Sequence, residues 1–200
     1  MVEQNFALAQ AVIEHPAPDS QPTFPVDPDA ERKIAGLTAD IRDFAILSPG
    51  AGWGAKQWPA ERYGIVAREL EKNGMQSLVN YGPGEEELAV AVEQASGNTA
   101  RKVSCSVAEL IALTRRARLF VGGDTGPMHL AAALKIPIVA IFGPTNPERN
   151  GPFGTRAVVL RSASSATSHA RLREPEQGLL EITPEEVVVA ARQLLELVSK

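Results

Sequence analysis

The stretch RLFVGGDTGPMHLAAAL, residues 118–134, decides the fold of this chain. Its apolar run at residues 119–121 is typical of a buried strand, which the following glycines end. Gly126 is the predicted N-cap of a helix and Pro127 its first residue, because proline has no backbone N–H that the helix would miss there. The small and apolar side chains that follow predict a helix that is buried on nearly all sides.

The turn between this strand and this helix has the features of an anion site. The first N–H groups of a helix lack partners within it, and the helix dipole is positive at that end, so phosphate groups bind there. Asp124, Thr125, Gly126, Met128 and His129 surround the helix start, and the last two would offer free backbone N–H groups. The sequence therefore predicts a phosphate or diphosphate site. The alternative is an ordinary capped helix in which His129 is a core residue.

Strand and helix patterns alternate along the rest of the chain, which predicts an α/β fold with a doubly wound parallel, Rossmann-like sheet. Glycine-rich turns at residues 49–54, 82–84 and 122–126 each follow a strand, so they should gather at one edge of the sheet. Neither the glycine fingerprint of dinucleotide-binding oxidoreductases nor a P-loop is present, which disfavours both classes. The predicted strands begin at residues 44, 77, 99, 119, 137 and 157, and the predicted helices cover residues 29–37, 59–73, 85–94, 107–116, 127–134 and 184–198.

The composition favours a globular protein and disfavours several functions. Hydrophobic residues make up 44% of the 200 residues, and the net charge of −4 argues against nucleic-acid binding. Cys105 is the only cysteine and the three histidines are far apart, so we expect no disulfide within the chain, no metal site and no cofactor. Neither a signal peptide nor an apolar run of the ~20 residues that span a bilayer is visible, which fits a cytoplasmic location.

The chain is predicted to divide at residue 44. Residues 1–43 combine a short helix over residues 1–14 with a proline-rich linker, because closely spaced prolines disfavour a helix. A further short helix with Asp29 as its cap follows the linker. Residues 44–200 then form the predicted α/β domain with its C-terminal helix.

Three blocks of the sequence carry a resemblance to a known family. They are SPGAGWGAKQWPAERY at residues 48–63, DTGPMHLAAAL at residues 124–134 and PIVAIFGPTNPERNGPFG at residues 137–154. In this order and spacing they resemble the glycosyltransferase family 9 heptosyltransferases, whose Asp-Ser/Thr-Gly-x-x-His-Leu-x-Ala motif meets the diphosphate of a nucleotide sugar. The resemblance implies the C-terminal, nucleotide-sugar-binding half of a GT-B glycosyltransferase, with the N-terminal acceptor domain missing.

The resemblance also implies roles for residues of the first glycine-rich loop. Lys56 lies in a Lys-Gln-Trp-Pro run like that of the family and would be a mobile cation that stabilises the leaving diphosphate, whereas Trp58 fits a core position. The family's hydroxyl residues before this lysine are replaced here. Backbone N–H groups of Gly50, Ala51 and Gly52 would therefore contact the phosphates.

Further roles are implied in the turns after the next strands. Glu85, which follows Gly82 in its turn, would contact the ribose, although its charge also complements a helix dipole. Cys105 would line the base pocket, although a lone cysteine is more often simply a small buried residue. Asp124 would orient the site, and the general base of the family would lie in the missing domain.

These expectations define a function and its alternatives. The resemblance implies that the complete enzyme, of which this chain is a part, transfers a sugar from a nucleotide-diphospho-sugar, ADP-heptose. The acceptor would be a lipid-linked saccharide, the lipopolysaccharide core. The complete enzyme would act in the cytoplasm or peripherally at the inner membrane. This chain alone should bind the donor and transfer little sugar. One alternative is a non-catalytic nucleotide-sugar-binding domain that docks on another protein through Leu8, Val12 and Ile13. The other is a GT-B-like sugar-nucleotide epimerase.

Overall fold

The computed structural model describes residues 23–168 and 170–196. The helix predicted over residues 1–14, with the apolar docking face assigned to it, lies outside the described residues. The first part of the proline-rich linker and the end of the last predicted helix lie outside them as well.

Six parallel strands form one sheet in the order β3-β2-β1-β4-β5-β6. The chain builds outward from β1 in one direction and then returns past β1 to add the other three strands on the opposite side. Such a reversal leaves a crevice at the carboxyl ends of the two strands where it occurs, here β1 and β4, and ligands of doubly wound proteins bind there. The strands are β1 Phe44–Ser48, β2 Gln76–Tyr81, β3 Ala100–Ser104, β4 Leu119–Gly123, β5 Ile138–Ile141 and β6 Ala157–Leu160.

Helices cover both faces of this sheet. They are α1 Pro28–Leu37, α2 Ala60–Glu71, α3 Glu86–Ala95, α4 Val107–Arg116, α5 Gly126–Ala133, α6 Pro147–Asn150, α7 Gln177–Glu181 and α8 Pro184–Glu196, with a 3₁₀ turn at Gly54–Lys56. On one face α2, α3 and α8 pack over Val79 and Leu119, and on the other α1, α4 and α5 pack over Leu78 and Phe120. Because successive strand residues point to opposite faces, the apolar runs fill both layers.

Helix α1 packs on the same sheet, although it precedes residue 44. Its Ala30 and Ile34 side chains are buried in the layer that also holds α4 and α5. The N-cap is Asp27 and not Asp29 as predicted, since the Asp27 carboxylate accepts hydrogen bonds from the next N–H groups of the helix. Where the domains of the whole protein divide stays a prediction.

Helix α5 differs from its prediction in two ways. Its N-cap is Thr125, which is extended, so Gly126 is already helical and Pro127 is the second helical residue. The helix is also not buried on all sides, because Met128 is fully buried whereas His129 is exposed. Short helices α6 and α7 lie in segments for which no helix was predicted.

Trp58 anchors the loop after β1 to the C-terminal part of the fold. As predicted, its side chain is buried in the core, where it meets Tyr63 edge-on at 4.9 Å between ring centroids. Its indole N–H donates to the Ile182 carbonyl at 3.0 Å. The guanidinium of Arg62 donates to the same carbonyl at 2.6 Å. The segment between α7 and α8 thereby fixes where the glycine-rich loop ends.

Candidate functional site

A cavity of about 290 Å³ opens at the carboxyl edge of the sheet, on the face that carries α4 and α5. Its wall is built from the loop after β1, the turn after β2, residue Cys105 after β3, Leu110 of α4 and the start of α5. The wall therefore combines glycine-rich backbone and a helix start with larger side chains such as Tyr81 and Leu110. It adjoins the switch point at which doubly wound folds bind ligands.

Glu85 folds back over the glycine-rich loops of this cavity. Its Oε2 accepts a hydrogen bond from the Gly82 N–H at 2.9 Å. The carboxylate lies so close to Gly50 that a Cβ there would be 2.3 Å from Oε1, so a side chain at this position would displace the carboxylate. A carboxylate acceptor thus lines the cavity, and its contact with a ribose stays a prediction.

Asp124 joins side chains from separate loops beside the cavity. Its Oδ2 lies 3.1 Å from Nζ of Lys56 and 3.2 Å from Nδ2 of Asn150, and its Oδ1 lies 3.4 Å from Nε2 of His129. The side chains of Lys56 and Asp124 are 10% and 8% exposed, so their ion pair is largely shielded from solvent. His129 is 50% exposed, so it is not the core histidine of the alternative interpretation.

Two opposed effects set the ionisation of Asp124. Burial alone would raise its pKa, but the hydrogen bond with His129 and the nearby charge of Lys56 lower the pKa well below its usual range. The carboxylate is therefore ionised at neutral pH and holds the Lys56 ammonium in place. Because an ammonium carries three N–H donors and this bond uses one, Lys56 keeps donors for a second anion.

Lys56, which the sequence predicts to be a mobile cation, has several close partners in the structure. Its Nζ lies 4.4 Å from the centroid of the Trp53 ring, and the guanidinium carbon of Arg171 lies 5.4 Å from the same centroid. Residues 171–176, which we call the strap, run along the outside of this loop, and the Ala55 N–H donates to a strap carbonyl at 3.0 Å. The ion pair, the indole and the strap together give Lys56 a defined position.

The free donors at the start of α5 differ from those predicted. The His129 N–H donates to the Thr125 carbonyl at 3.3 Å, so it is not free, and Pro127 has no N–H. The N–H groups of Gly126 and Met128 precede the first helical hydrogen bonds. Because the Met128 side chain is fully buried, this residue could contact a ligand only through its backbone. A Cβ on Gly126 would meet no atom within 4 Å, so open space adjoins the helix start.

Cys105 lies half-buried in the cavity wall, just before α4. Burial raises the pKa of its thiol to about 11, so the thiol is protonated at neutral pH and is a weak nucleophile. Its position fits a lining residue of the cavity.

Most of the predicted residues lie in two adjoining groups. Lys56, Asp124 and His129 form the ion-pair cluster. The cavity is lined by Gly50, Ala51, Gly52, Gly82, Glu85, Cys105 and Thr125. Its other lining residues, for which no ligand contact was predicted, are Ser48, Asn80, Tyr81, Leu110 and Pro127. One signal was available: Asn80 is an amide that directly follows the apolar pair Leu78 and Val79, close to the strand's carboxyl end.

Comparison with known proteins identifies the family. Residues 1–179 match the profile of the family described as "Glycosyltransferase family 9 (heptosyltransferase)". The chain belongs to glycosyltransferase family 9. This confirms the resemblance carried by the three sequence blocks, and the six-stranded parallel sheet is the Rossmann-like fold of the family's GT-B structures.

Individual members of family 9 match most of this chain. Lipooligosaccharide heptosyltransferase 2 of Haemophilus ducreyi is 30% identical over 98% of this chain and 63% of its own length. The structure of E. coli ADP-heptose lps heptosyltransferase II superposes with a TM-score of 0.79 and 25% identity, over 94% of this chain and 57% of that one. The structure of E. coli heptosyltransferase WaaC with ADP shares the fold, with a TM-score of 0.74 and 23% identity over 96% of this chain and 56% of that one. The chain thus spans less than two thirds of these relatives.

Two further features concern metals and membranes. Among the side chains of residues 23–168 and 170–196, no group of three or more His, Cys, Asp and Glu could hold a metal ion. No helix in this described part is both long and apolar enough to cross a bilayer.

Proposed function

We propose that this family 9 chain binds a nucleotide-diphospho-sugar in the cavity, and that the complete enzyme transfers heptose from ADP-heptose to a lipopolysaccharide core acceptor. One observation carries the proposal: the Asp124-bound ammonium of Lys56 and the open start of α5 adjoin a cavity at the switch point of the sheet. The names of the relatives, which are heptosyltransferases, support the choice of donor sugar and acceptor.

The diphosphate is proposed to lie at the start of α5. There the N–H groups of Gly126 and Met128 and the positive end of the helix dipole favour negative charge. Lys56 is held beside this point by Asp124, and the backbone of Gly50–Gly52 lines the same cavity. Asp124 acts as a positioning residue, since its carboxylate fixes the ammonium without itself facing an anion.

The nucleoside is proposed to fill the remainder of the cavity. The Glu85 carboxylate is an acceptor for ribose hydroxyls, and the base would lie towards Cys105 and Leu110. The Glu85–Gly82 hydrogen bond preorganises this acceptor, because it holds the carboxylate in the cavity wall before any ligand binds.

In the transfer reaction an acceptor hydroxyl oxygen bonds to the anomeric carbon of the sugar, and the bond between that carbon and the diphosphate oxygen breaks. The bonding electrons pass to the diphosphate, whose developing charge Lys56 and the start of α5 would stabilise. The hydroxyl proton requires a base, which the resemblance assigns to the acceptor domain. We therefore expect this chain alone to bind the donor and to transfer little sugar.

Glycine substitutions test the proposed phosphate position. A methyl group in Gly126→Ala meets no protein atom, so the fold should persist, but it projects into the open space proposed for the diphosphate. Gly36→Ala is the matched control: its Cβ also meets nothing within 4 Å, it lies in α1, and neither glycine has a positive φ.

Calorimetric titration with ADP provides the readout. We expect Gly126→Ala to weaken ADP binding at least tenfold and Gly36→Ala to leave it unchanged. Unchanged affinity in Gly126→Ala would refute the phosphate position. Absence of ADP binding by the folded wild-type chain would contradict the proposed function itself.

A further inference from the structure

Asn80 is a buried polar side chain at the floor of the cavity. It lies in β2, where Leu78 points into the layer that holds α4 and α5 and Val79 points to the opposite face. Because strand residues alternate, Asn80 points to the same side as Leu78, and it lines the cavity together with Cys105 and Leu110. Only 7% of its surface is exposed.

No hydrogen bond from the rest of the described chain reaches the amide of Asn80. Most polar side chains in an apolar layer are hydrogen-bonded within the protein, whereas the Asn80 amide faces the cavity and takes its partners there, from water or from a ligand. Valine or isoleucine would suit this strand position better than an amide. The free donor and the free acceptor of Asn80 thus lie side by side in a cavity wall, where a ligand can reach them.

The chemistry of the amide matches one part of a nucleotide. A carboxamide presents one acceptor and one donor side by side, and adenine presents the complementary pair, its 6-amino group next to a ring nitrogen. Phosphates offer acceptors only, and the ribose hydroxyls already have the Glu85 carboxylate as their proposed partner. The apolar side chain of Leu110 and the ring of Pro127, also in the cavity wall, suit the flat faces of a base.

We propose that the Asn80 amide recognises the edge of the adenine base, its oxygen accepting from the 6-amino group and its N–H₂ donating to the adjacent ring nitrogen. This assignment rests on the proposed function, since it requires a nucleotide in the cavity. It names the side chain that makes this chain select adenine over bases without a 6-amino group.

The test compares ADP with purine riboside 5′-diphosphate, which lacks only the 6-amino group, by calorimetric titration of the purified chain. Wild type should bind ADP roughly tenfold more tightly than the analogue, the size expected for one well-placed base contact. Asn80→Ala should bind both nucleotides equally. Asn80→Asp should bind both more weakly but keep the preference for ADP, because a carboxylate still accepts from the amino group.

A matched amide deletion controls for general effects. Asn73→Ala removes an exposed amide whose Nδ2 donates to the Glu69 carbonyl in α2, outside the cavity, and it should leave both affinities unchanged. Urea unfolding of each variant establishes that it is folded before titration.

The outcomes separate this inference from the proposed function. If wild type binds both nucleotides equally, or if Asn80→Ala keeps the tenfold preference, the role of Asn80 is refuted while nucleotide binding stands. If the folded wild-type chain binds neither nucleotide, the proposed function fails and the Asn80 assignment fails with it.

Discussion

Replacing Lys56 by methionine should destabilise the fold as well as remove a cation from the proposed phosphate site. Methionine keeps the unbranched side chain but leaves Asp124 as a nearly buried carboxylate without its cation. At the observed 3.1 Å and an effective dielectric constant of 20, the Coulomb attraction of the pair is about 5 kcal/mol, of which desolvation of both ions offsets a part. Removing one partner of a buried pair costs about 3–5 kcal/mol.

The remaining partners of Asp124 reduce this loss. His129 and Asn150 stay within 3.4 Å and 3.2 Å of the carboxylate, so we expect Lys56→Met to lower the free energy of unfolding by about 3 kcal/mol, at the low end of that range. The matched control is Lys102→Met. Lys102 pairs with Glu86 at 3.3 Å, but their side chains are 34% and 65% exposed, so its loss should cost less than about 0.5 kcal/mol.

The pH dependence provides a second readout. The folded state lowers the pKa of Asp124, so its contribution to stability is complete above the unfolded-state pKa of about 4 and is lost as the pH falls through the lowered pKa. The difference between wild type and Lys56→Met should therefore be full at pH 7 and shrink below pH 4. Urea unfolding followed by tryptophan fluorescence measures it. Equal losses for Lys56→Met and Lys102→Met, or a difference that does not change with pH, would refute the reasoning.

Two further predictions follow from local geometry. A Cβ at Gly54 would lie 1.5 Å from the Arg173 carbonyl oxygen of the strap, so Gly54→Ala should lower the free energy of unfolding by about 1–3 kcal/mol. The control is Gly52→Ala, whose Cβ would meet no atom within 4 Å and which should leave the free energy of unfolding unchanged. Equal urea midpoints for the two variants would contradict this prediction. Burial raises the pKa of Cys105 to about 11, so at pH 8 iodoacetamide should alkylate the folded chain at least tenfold more slowly than the chain unfolded in urea. Mass spectrometry measures both rates, because Cys105 is the single cysteine, and equal rates would contradict the prediction.

The sequence predicted those parts of the fold that depend on local signals. Strand β6 was placed from residue 157, where it begins. The predicted core face of α2, with Tyr63, Val66 and Leu70, is buried. These elements follow from hydrophobic periodicity, which needs only neighbouring residues. Helix starts were less accurate: Thr125 caps α5 because its backbone is extended, while proline is tolerated at either of the first two helical positions.

The candidate site was predicted only in part, because its geometry depends on distant residues. The motif placed Asp124 and His129 near a helix start, but nothing local showed that Lys56, 68 residues earlier, would pair with that aspartate. Asn150 joins the same carboxylate from another loop. Asn80 carried a local signal, an amide directly after the apolar Leu78 and Val79, but only the fold shows that this position faces a cavity.

The hydrogen bond that anchors Trp58 determines when, during synthesis of the chain, the loop after β1 can reach its final position. The indole finds its hydrogen-bond partner at Ile182, 124 residues further along the chain. A ribosome releases the N-terminal part first, and contacts of large sequence separation form late in folding. The glycine-rich loop after β1 therefore emerges early but is fixed only when the residues before α8 have been synthesised. A nascent chain that ends before α7 would carry the six strands of the described sheet and still lack the anchor of the loop that lines the cavity.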